Sequence, residues 1–172
     1  MPISLSPLMM RQIIMDHYEN PRNKRTVDDP RYKKIHMDSA SCIDDIYVFV
    51  LYEDGILKDI AFDGVACTIS TASTSIMTEL LVGKTLEEAK VIYQNYINMI
   101  EEKDFDEDCL EDAIVFVNTS KQASRIKCAT IGWRGFDSIL KEIEGEKWLW
   151  KIKINCLQKI INMVLKMKMF LF

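Results

Sequence analysis

The sequence predicts an α+β domain in which helices cover one face of a small antiparallel sheet of about three strands. Residues 46–52 and 56–62 are rich in β-branched and aromatic side chains, and the turn sequence Glu53-Asp54-Gly55 separates them. This pattern is typical of a hairpin. Segments on both sides of the hairpin carry apolar residues at helical spacing, which predicts helices before and after it.

Capping and breaking residues set the expected bounds of these elements. Ser6 and Thr85 belong to residue types that cap helix N-termini, whereas Gly83 belongs to a type that ends helices. The helices predicted in this way span residues 6–18, 68–82, 85–100, 110–117 and 124–143. Between the first helix and the hairpin, through residue 39, we expect a polar loop.

Composition divides the chain into two parts. Residues 1–146 are expected to form one globular domain with a single core. Residues 147–172 carry six lysines and no acid, so the net charge of −4 conceals a charge of −10 on the first 146 residues. In this extension, residues 148–154 alternate like a strand, and residues 157–172 suggest a basic amphipathic helix. Two interpretations stay open, namely attachment to a membrane surface and an extension without a selected role.

Composition also excludes several classes of protein. The acidic domain argues against nucleic-acid binding, which needs a basic face to meet phosphates. Apolar stretches are shorter than the roughly 18 residues of a membrane span, so no spanning segment is expected and a membrane partner is disfavoured. Residues 1–10 do not read as a secretory signal, so a cytoplasmic, reducing compartment is expected. There, cysteines bind metals or react more often than they form disulfides.

Four residues from three distant segments form a candidate metal site: Cys42, Asp44, Cys67 and Cys128. Each lies at the edge of a predicted element, where a loop can direct it to a common point. Three thiolates and one carboxylate suit tetrahedral zinc or an iron–sulfur cluster. Because one residue separates Cys42 from Asp44, their side chains would point the same way in an extended chain.

Local context strengthens this interpretation. Cys67 directly precedes a predicted helix, whose N–H groups favour a thiolate, and Arg125 and Lys127 would favour one at Cys128. Any one of these cysteines alone is more readily explained as an inert, buried hydrophobe. Cys109, in acidic surroundings, is interpreted as structural, and Cys156 is assigned no role.

Other reactive side chains are assigned structural roles. His17 is expected to pack on the apolar face of the first helix, and His36 to be a solvated loop residue. The serine- and threonine-rich run 70–75 is expected to be a small-residue helix face packed on the sheet, since no histidine stands near it in sequence to activate a nucleophile.

These motifs, in this order, resemble those of the U-type iron–sulfur cluster assembly proteins, which include the N-terminal module of the NifU group. The resemblance covers about residues 5–144. The motifs that carry it are Asp16-His17-Tyr18-Glu19-Asn20-Pro21-Arg22-Asn23, Cys42-Ile43-Asp44, Cys67-Thr68-Ile69-Ser70-Thr71-Ala72-Ser73, Gly83-Lys84 and Arg125-Ile126-Lys127-Cys128-Ala129-Thr130-Ile131-Gly132-Trp133. The scaffold branch has histidine where Lys127 stands and carries a Leu-Pro-Pro-Val-Lys motif that this chain lacks. The chain is therefore similar to the SUF-type branch, SufU.

That resemblance implies a SufE/NifU-like fold and zinc held by the four candidate ligands. It also implies a zinc-dependent sulfurtransferase that takes persulfide sulfur from a SufS-type cysteine desulfurase, a pyridoxal-phosphate enzyme. Cys42 would be the acceptor thiol and a SUF scaffold complex the downstream acceptor. One alternative is a scaffold that assembles a transient [2Fe–2S] cluster on the same ligands, and another is a purely structural zinc domain.

The chain departs from the family's usual glycines at two positions next to candidate ligands, Ile43 and Ala66. A positive φ at residue 43 would strain a β-branched side chain. The backbone conformation there therefore decides whether the departure distorts the site.

Overall fold

The computed structural model describes the backbone of residues 5–169 and the side chains of residues 5–154. The chain forms two compact units, the first ending at Ile139 and the second beginning at Leu140. The elements are α1 (Pro7–Glu19), β1 (Lys33–Asp38), β2 (Asp45–Glu53), β3 (Ile56–Val65), α2 (Thr68–Leu81), α3 (Leu86–Ile100), three 3₁₀ turns (Glu107–Cys109, Glu111–Phe116 and Thr119–Lys121) and α4 (Ala123–Met169).

The sheet is antiparallel throughout and has the order β1-β2-β3, which confirms the predicted α+β class. The polar loop expected through residue 39 is wrong, because part of it is the edge strand β1. This strand pairs with β2 from Lys33 opposite Val50 to Asp38 opposite Asp45. Alternate side chains of β1 are exposed, as on an edge strand. Its charged residues are the reason that the sequence predicted a loop here.

Small side chains let α2 pack tightly in the core. The run 70–75 is entirely buried, so this part of α2 is covered on every side and not only on the face expected to pack on the sheet. The hydroxyl groups of Ser73 and Tyr96 both donate to the carbonyl oxygen of Ala129, at 2.6 and 2.9 Å. Tyr96 also stacks on Trp133, with ring centroids 4.0 Å apart. This buried network joins α2, α3 and the start of α4, and Ala129 directly follows the candidate ligand Cys128.

Gly64 allows the ends of β2 and β3 to approach closely. Its φ of +119° is one that residues with side chains rarely adopt. A Cβ atom at this position would collide with the backbone carbonyl oxygen of Asp45. Asp44 precedes β2, and Cys67 follows β3 by two residues, so this glycine brings two candidate ligands next to each other.

The C-terminal segment differs from its expected structure. We predicted that α4 would end near residue 143 and that residues 148–154 would resemble a strand; both predictions are wrong, since α4 continues to Met169. A single exposed glycine, Gly145, costs a helix only about 1 kcal/mol, so it does not break α4. Residues 170–172 of the suggested amphipathic helix lie outside the described residues. Over the described part of the chain, none of the helices is both long and apolar enough to cross a bilayer.

Candidate metal centre

Three separate segments bring the four predicted ligands together. The Sγ atoms of Cys42, Cys67 and Cys128 and a carboxylate oxygen of Asp44 all lie within 4.8 Å of one another. Asp44 and Cys128 are buried, whereas Cys42 and Cys67 are half-buried. We call these four residues the Cys3Asp centre. Its donor atoms are within reach of a single ion.

Cys42 lies on the turn that joins β1 to β2. Its N–H donates to the Ser39 carbonyl oxygen at 3.3 Å, and the Ser39 N–H donates to the Asp44 carbonyl oxygen at 2.9 Å. Residues 42 and 43 are bends and not extended chain, yet the side chains of Cys42 and Asp44 reach the same point, as expected. Ile43 is 66% exposed and has no positive φ, so its β-branched side chain is not strained there.

Asp44 is held by hydrogen bonds from the neighbouring segment. Its Oδ1 accepts from the Cys67 N–H at 2.8 Å, and its Oδ2 accepts from the Ser70 hydroxyl at 2.6 Å. Burial opposes ionisation of this carboxyl, but the hydrogen bonds outweigh it, so the pKa of Asp44 lies below its usual value. Asp44 is therefore a charged, oriented carboxylate.

Cys67 is the N-cap of α2, as its position before the predicted helix suggested. Its Sγ accepts from the Ser70 N–H at 3.5 Å, in the place usually taken by a serine or aspartate oxygen. The Cys67 sulfur is thus fixed at the N-terminus of α2 by a backbone hydrogen bond.

Cys128 lies in the second turn of α4 and is only 3% exposed. The expectation that Arg125 and Lys127 would favour its thiolate is wrong. Both cationic residues are exposed, and burial together with the neighbouring Cys42 raises the pKa of Cys128 to about 12. Burial likewise raises the pKa of Cys42. Without a cation, these two crowded thiols therefore favour the protonated state.

The chemistry of this donor set fits a zinc ion. Sulfur ligands with one carboxylate oxygen form a four-coordinate set of the kind that zinc accepts. Burial, and after it the neighbouring anionic donors, raises the pKa of the Cys42 and Cys128 thiols, and a bound cation would offset both effects. The four residues can therefore hold a metal ion.

Three other residues considered in the sequence lie outside the centre. His17 is buried on α1, as predicted, and its Nδ1 lies 2.8 Å from the Ser75 hydroxyl. His36 is exposed, as predicted, but it lies on β1 rather than in a loop and contacts Asp45. Cys109 is a free, half-buried thiol in a 3₁₀ turn.

Sequence reasoning missed Ser70 as a member of the site. It was interpreted only as part of the packed helix face, yet it contacts both Asp44 and Cys67. One signal could have found it, since Ser70 stands three residues after the N-cap Cys67, and an N-cap side chain accepts from the backbone N–H at that position. The contact with Asp44 joins residues that are 26 positions apart and has no local signal.

Comparisons with known proteins agree with this arrangement. Residues 9–129 match the family model of the NifU-like N terminal domain. The chain is 36% identical to the zinc-dependent sulfurtransferase SufU of Bacillus subtilis (strain 168) over 138 residues, which cover 80% of this chain and 92% of that protein. It is 29% identical to the iron–sulfur cluster assembly scaffold protein IscU of Thermotoga maritima, covering 79% of this chain and 95% of that one.

A solved structure is similar in both fold and sequence. The crystal structure of a candidate iron–sulfur cluster assembly scaffold protein for the SUF system, from Fervidobacterium islandicum AW-1, superposes with a TM-score of 0.66. It is 30% identical, and the match covers 75% of this chain and 94% of that one. Because the family model covers most of the chain and includes all four residues of the Cys3Asp centre, this protein belongs to the NifU-like N terminal domain family.

Proposed function

We propose that this protein is a zinc-dependent sulfurtransferase of iron–sulfur cluster assembly. It would accept persulfide sulfur from a SufS-type cysteine desulfurase and pass it to a SUF scaffold complex. The observation that carries this proposal is the convergence of three thiols and a carboxylate within 4.8 Å, with one thiol on an exposed hairpin turn. The named activity of the similar Bacillus sulfurtransferase supports it. The free thiols at residues 42, 67, 109 and 128 fit a reducing cytoplasm.

Zinc would be held by the four residues of the Cys3Asp centre. When bound, it would keep their thiols deprotonated and protect them from oxidation. Cys67 caps α2, Cys128 lies in the second turn of α4, and Asp44 accepts hydrogen bonds from the Cys67 N–H and the Ser70 hydroxyl. Cys42 lies on a turn instead, so it is the ligand that can leave with the least disturbance of the fold.

Sulfur transfer would take place at Cys42. Its thiolate attacks the outer sulfur of the persulfide on the desulfurase cysteine, forming a new S–S bond on Cys42. The S–S bond on the desulfurase breaks at the same time, and its cysteine leaves as a thiolate. No net oxidation or reduction is needed. Access fits this step, because Ser41 and Ile43 on either side of Cys42 are exposed.

The surface around the centre suits a protein partner. Ile43, which is 66% exposed, lies between the candidate ligands Cys42 and Asp44. Val65, which is 62% exposed, lies two residues before Cys67. Large apolar side chains at such a position lose contact with water when another protein covers them. We assign this exposed apolar surface to the desulfurase, because Ile43 directly follows Cys42, the thiol that would accept the sulfur.

A scaffold that assembles a transient [2Fe–2S] cluster is the second candidate. The same donor set suits iron, and the IscU relative is named as a scaffold protein. Elemental analysis of the purified protein separates the two candidates. We expect a colourless protein with one zinc per chain that accelerates a SufS-type desulfurase. Brown protein with iron and sulfide favours the scaffold, and protein without metal contradicts both candidates.

Replacing Asp44 with alanine is expected to lower zinc affinity about 100-fold or more. The change removes a ligand, whereas losing only a residue that orients a ligand costs 10–100-fold. Competition with a chromophoric zinc chelator measures the affinity. Asp45→Ala is the matched control, since it removes an adjacent carboxylate that is 64% exposed and points away to His36. Equal losses in both variants would show that general charge, rather than coordination, is responsible.

The boundary between the domain and its extension leads to another prediction. We expect deletion of residues 147–172 to leave zinc binding and desulfurase stimulation within about twofold of the full chain. Side chains 147–154 are all exposed, and the four candidate ligands precede the deletion. Comparing the full chain with the truncated protein also tests membrane attachment. We expect vesicles of anionic lipid to bind neither of these two proteins. Vesicle binding by the full chain alone would instead give the extension a membrane role.

A further inference from the structure

Ser70 connects two residues of the Cys3Asp centre that come from different segments. Its hydroxyl donates to Asp44 Oδ2 at 2.6 Å, and its Oγ lies 3.3 Å from Cys67 Sγ. Its backbone N–H donates to the same sulfur at 3.5 Å. The side chain is fully buried in the first turn of α2. Ser70 therefore has one proton to donate and two candidate ligands within its reach.

The distances indicate where that proton goes. An O–H···O⁻ bond of 2.6 Å is in the range of charge-assisted hydrogen bonds, which are about twice as strong as neutral ones. Oδ1 of the same carboxylate is already bonded to the Cys67 N–H at 2.8 Å. With both oxygens engaged, the carboxylate of Asp44 cannot rotate freely. Each oxygen still has a lone pair, so the group can bind a cation in one fixed orientation.

We propose that Ser70 is a positioning residue that holds Asp44 as a fixed ligand of the metal centre. This inference rests on the proposed function, because it assumes that the centre binds zinc. Without the hydroxyl, Oδ2 would lose the short bond from Ser70, and the Cys67 N–H and the neighbouring thiols would orient the carboxylate less firmly. A ligand that must be ordered on binding holds its metal less tightly.

The test is the zinc affinity of Ser70→Ala, measured by competition with a chromophoric chelator on the full chain. We expect a loss of about 10–100-fold, the usual effect of removing a group that orients a ligand. Ser75→Ala is the matched control. It removes another buried hydroxyl from α2, one that bonds to His17 and to the Arg22 N–H instead of the centre. We expect its zinc affinity to stay within about twofold of the parent.

A double-mutant cycle separates positioning from general damage to the fold. If Ser70 acts through Asp44, Ser70→Ala should change zinc affinity less than about twofold in an Asp44→Ala background. An equal loss in both backgrounds, or no loss in the single variant, would overturn the inference and leave the proposed function intact. Failure of the unaltered protein to bind zinc would overturn both.

A second pair of variants covers the case in which Ser70→Ala does not fold. Ser70→Thr and Ser70→Val add the same bulk and differ only in the hydroxyl, so they share the same packing cost. We expect the threonine variant to bind zinc about 10–100-fold more tightly than the valine variant. Equal affinities would contradict a role for the hydroxyl.

Discussion

Cys42→Ser is expected to abolish stimulation of the desulfurase, by at least about 100-fold, while the protein stays folded. A serine hydroxyl is almost entirely protonated at neutral pH and cannot accept sulfur as a persulfide. Alanine production by the desulfurase measures turnover, and mass spectrometry after alkylation detects the added sulfur atom. The peptide that contains residue 42 should carry the added sulfur in the parent protein and should not carry it in the variant.

The position of Cys42 explains why the fold should survive. The residue is half-buried on the β1–β2 turn, outside the helices and strands. Its replacement in the zinc-free protein should change the free energy of unfolding by no more than about 0.5 kcal/mol, as for most surface positions. Cys128→Ser, in contrast, places a hydroxyl at a site only 3% exposed and should cost about 1–3 kcal/mol.

Cys109→Ser is the control for loss of a thiol in general. Cys109 is also half-buried and free, but it lies in a 3₁₀ turn outside the Cys3Asp centre. Its replacement should leave desulfurase stimulation unchanged. If Cys42→Ser unfolds the protein, the metal centre is structural; if the folded variant still accepts sulfur, another cysteine is the acceptor.

Gly64→Ala is expected to be the most destabilising single change near the centre, at roughly 3 kcal/mol or more. The estimate combines the strain of a positive φ, about 1–3 kcal/mol, with overpacking of a similar size. A Cβ atom here meets the backbone oxygen of Asp45 and lies 3.0 Å from the Ile46 Cα, and backbone cannot move aside as a side chain can. Urea unfolding of the zinc-free protein measures the loss.

Zinc affinity should fall together with stability in this variant. Separating β2 from β3 at Gly64 moves Asp44 away from the Cys67 N–H that binds its carboxylate. Gly55→Ala provides the control, since its φ is +86° but no heavy atom lies within 4 Å of the added Cβ. It should lose only the cost of strain, about 1–3 kcal/mol, and keep its zinc affinity. Similar losses of zinc affinity in both variants would contradict this role of Gly64.

Local signals were sufficient for many elements of this protein. The hairpin of β2 and β3 followed from β-branched runs around a turn. The start of α3 followed from the capping residue Thr85, which forms a capping box with Glu88 in the structure. Cys67 was expected at a helix start and is the N-cap of α2. These features depend on residues within a few positions of each other, so the sequence contains the information that determines them.

The four residues of the candidate centre were also identified from the sequence, through their residue types and the surrounding motifs. Their grouping within 4.8 Å, however, depends on contacts between distant segments. The strand β1 exists because β2 offers it hydrogen-bonding partners, and its own charged pattern gives little sign of it. Cys42 therefore proved to lie on a turn between two strands rather than in an extended segment.

The sequence by itself determined the family pattern, the main helices and strands, and the donor atoms available to a metal. Only the tertiary structure decided how those donors are held and charged. The Ser70–Asp44 hydrogen bond and the raised pKa of Cys128 come from burial and from neighbours in other segments. Burial and electrostatic interactions depend on distances in space, and residues far apart in sequence set those distances.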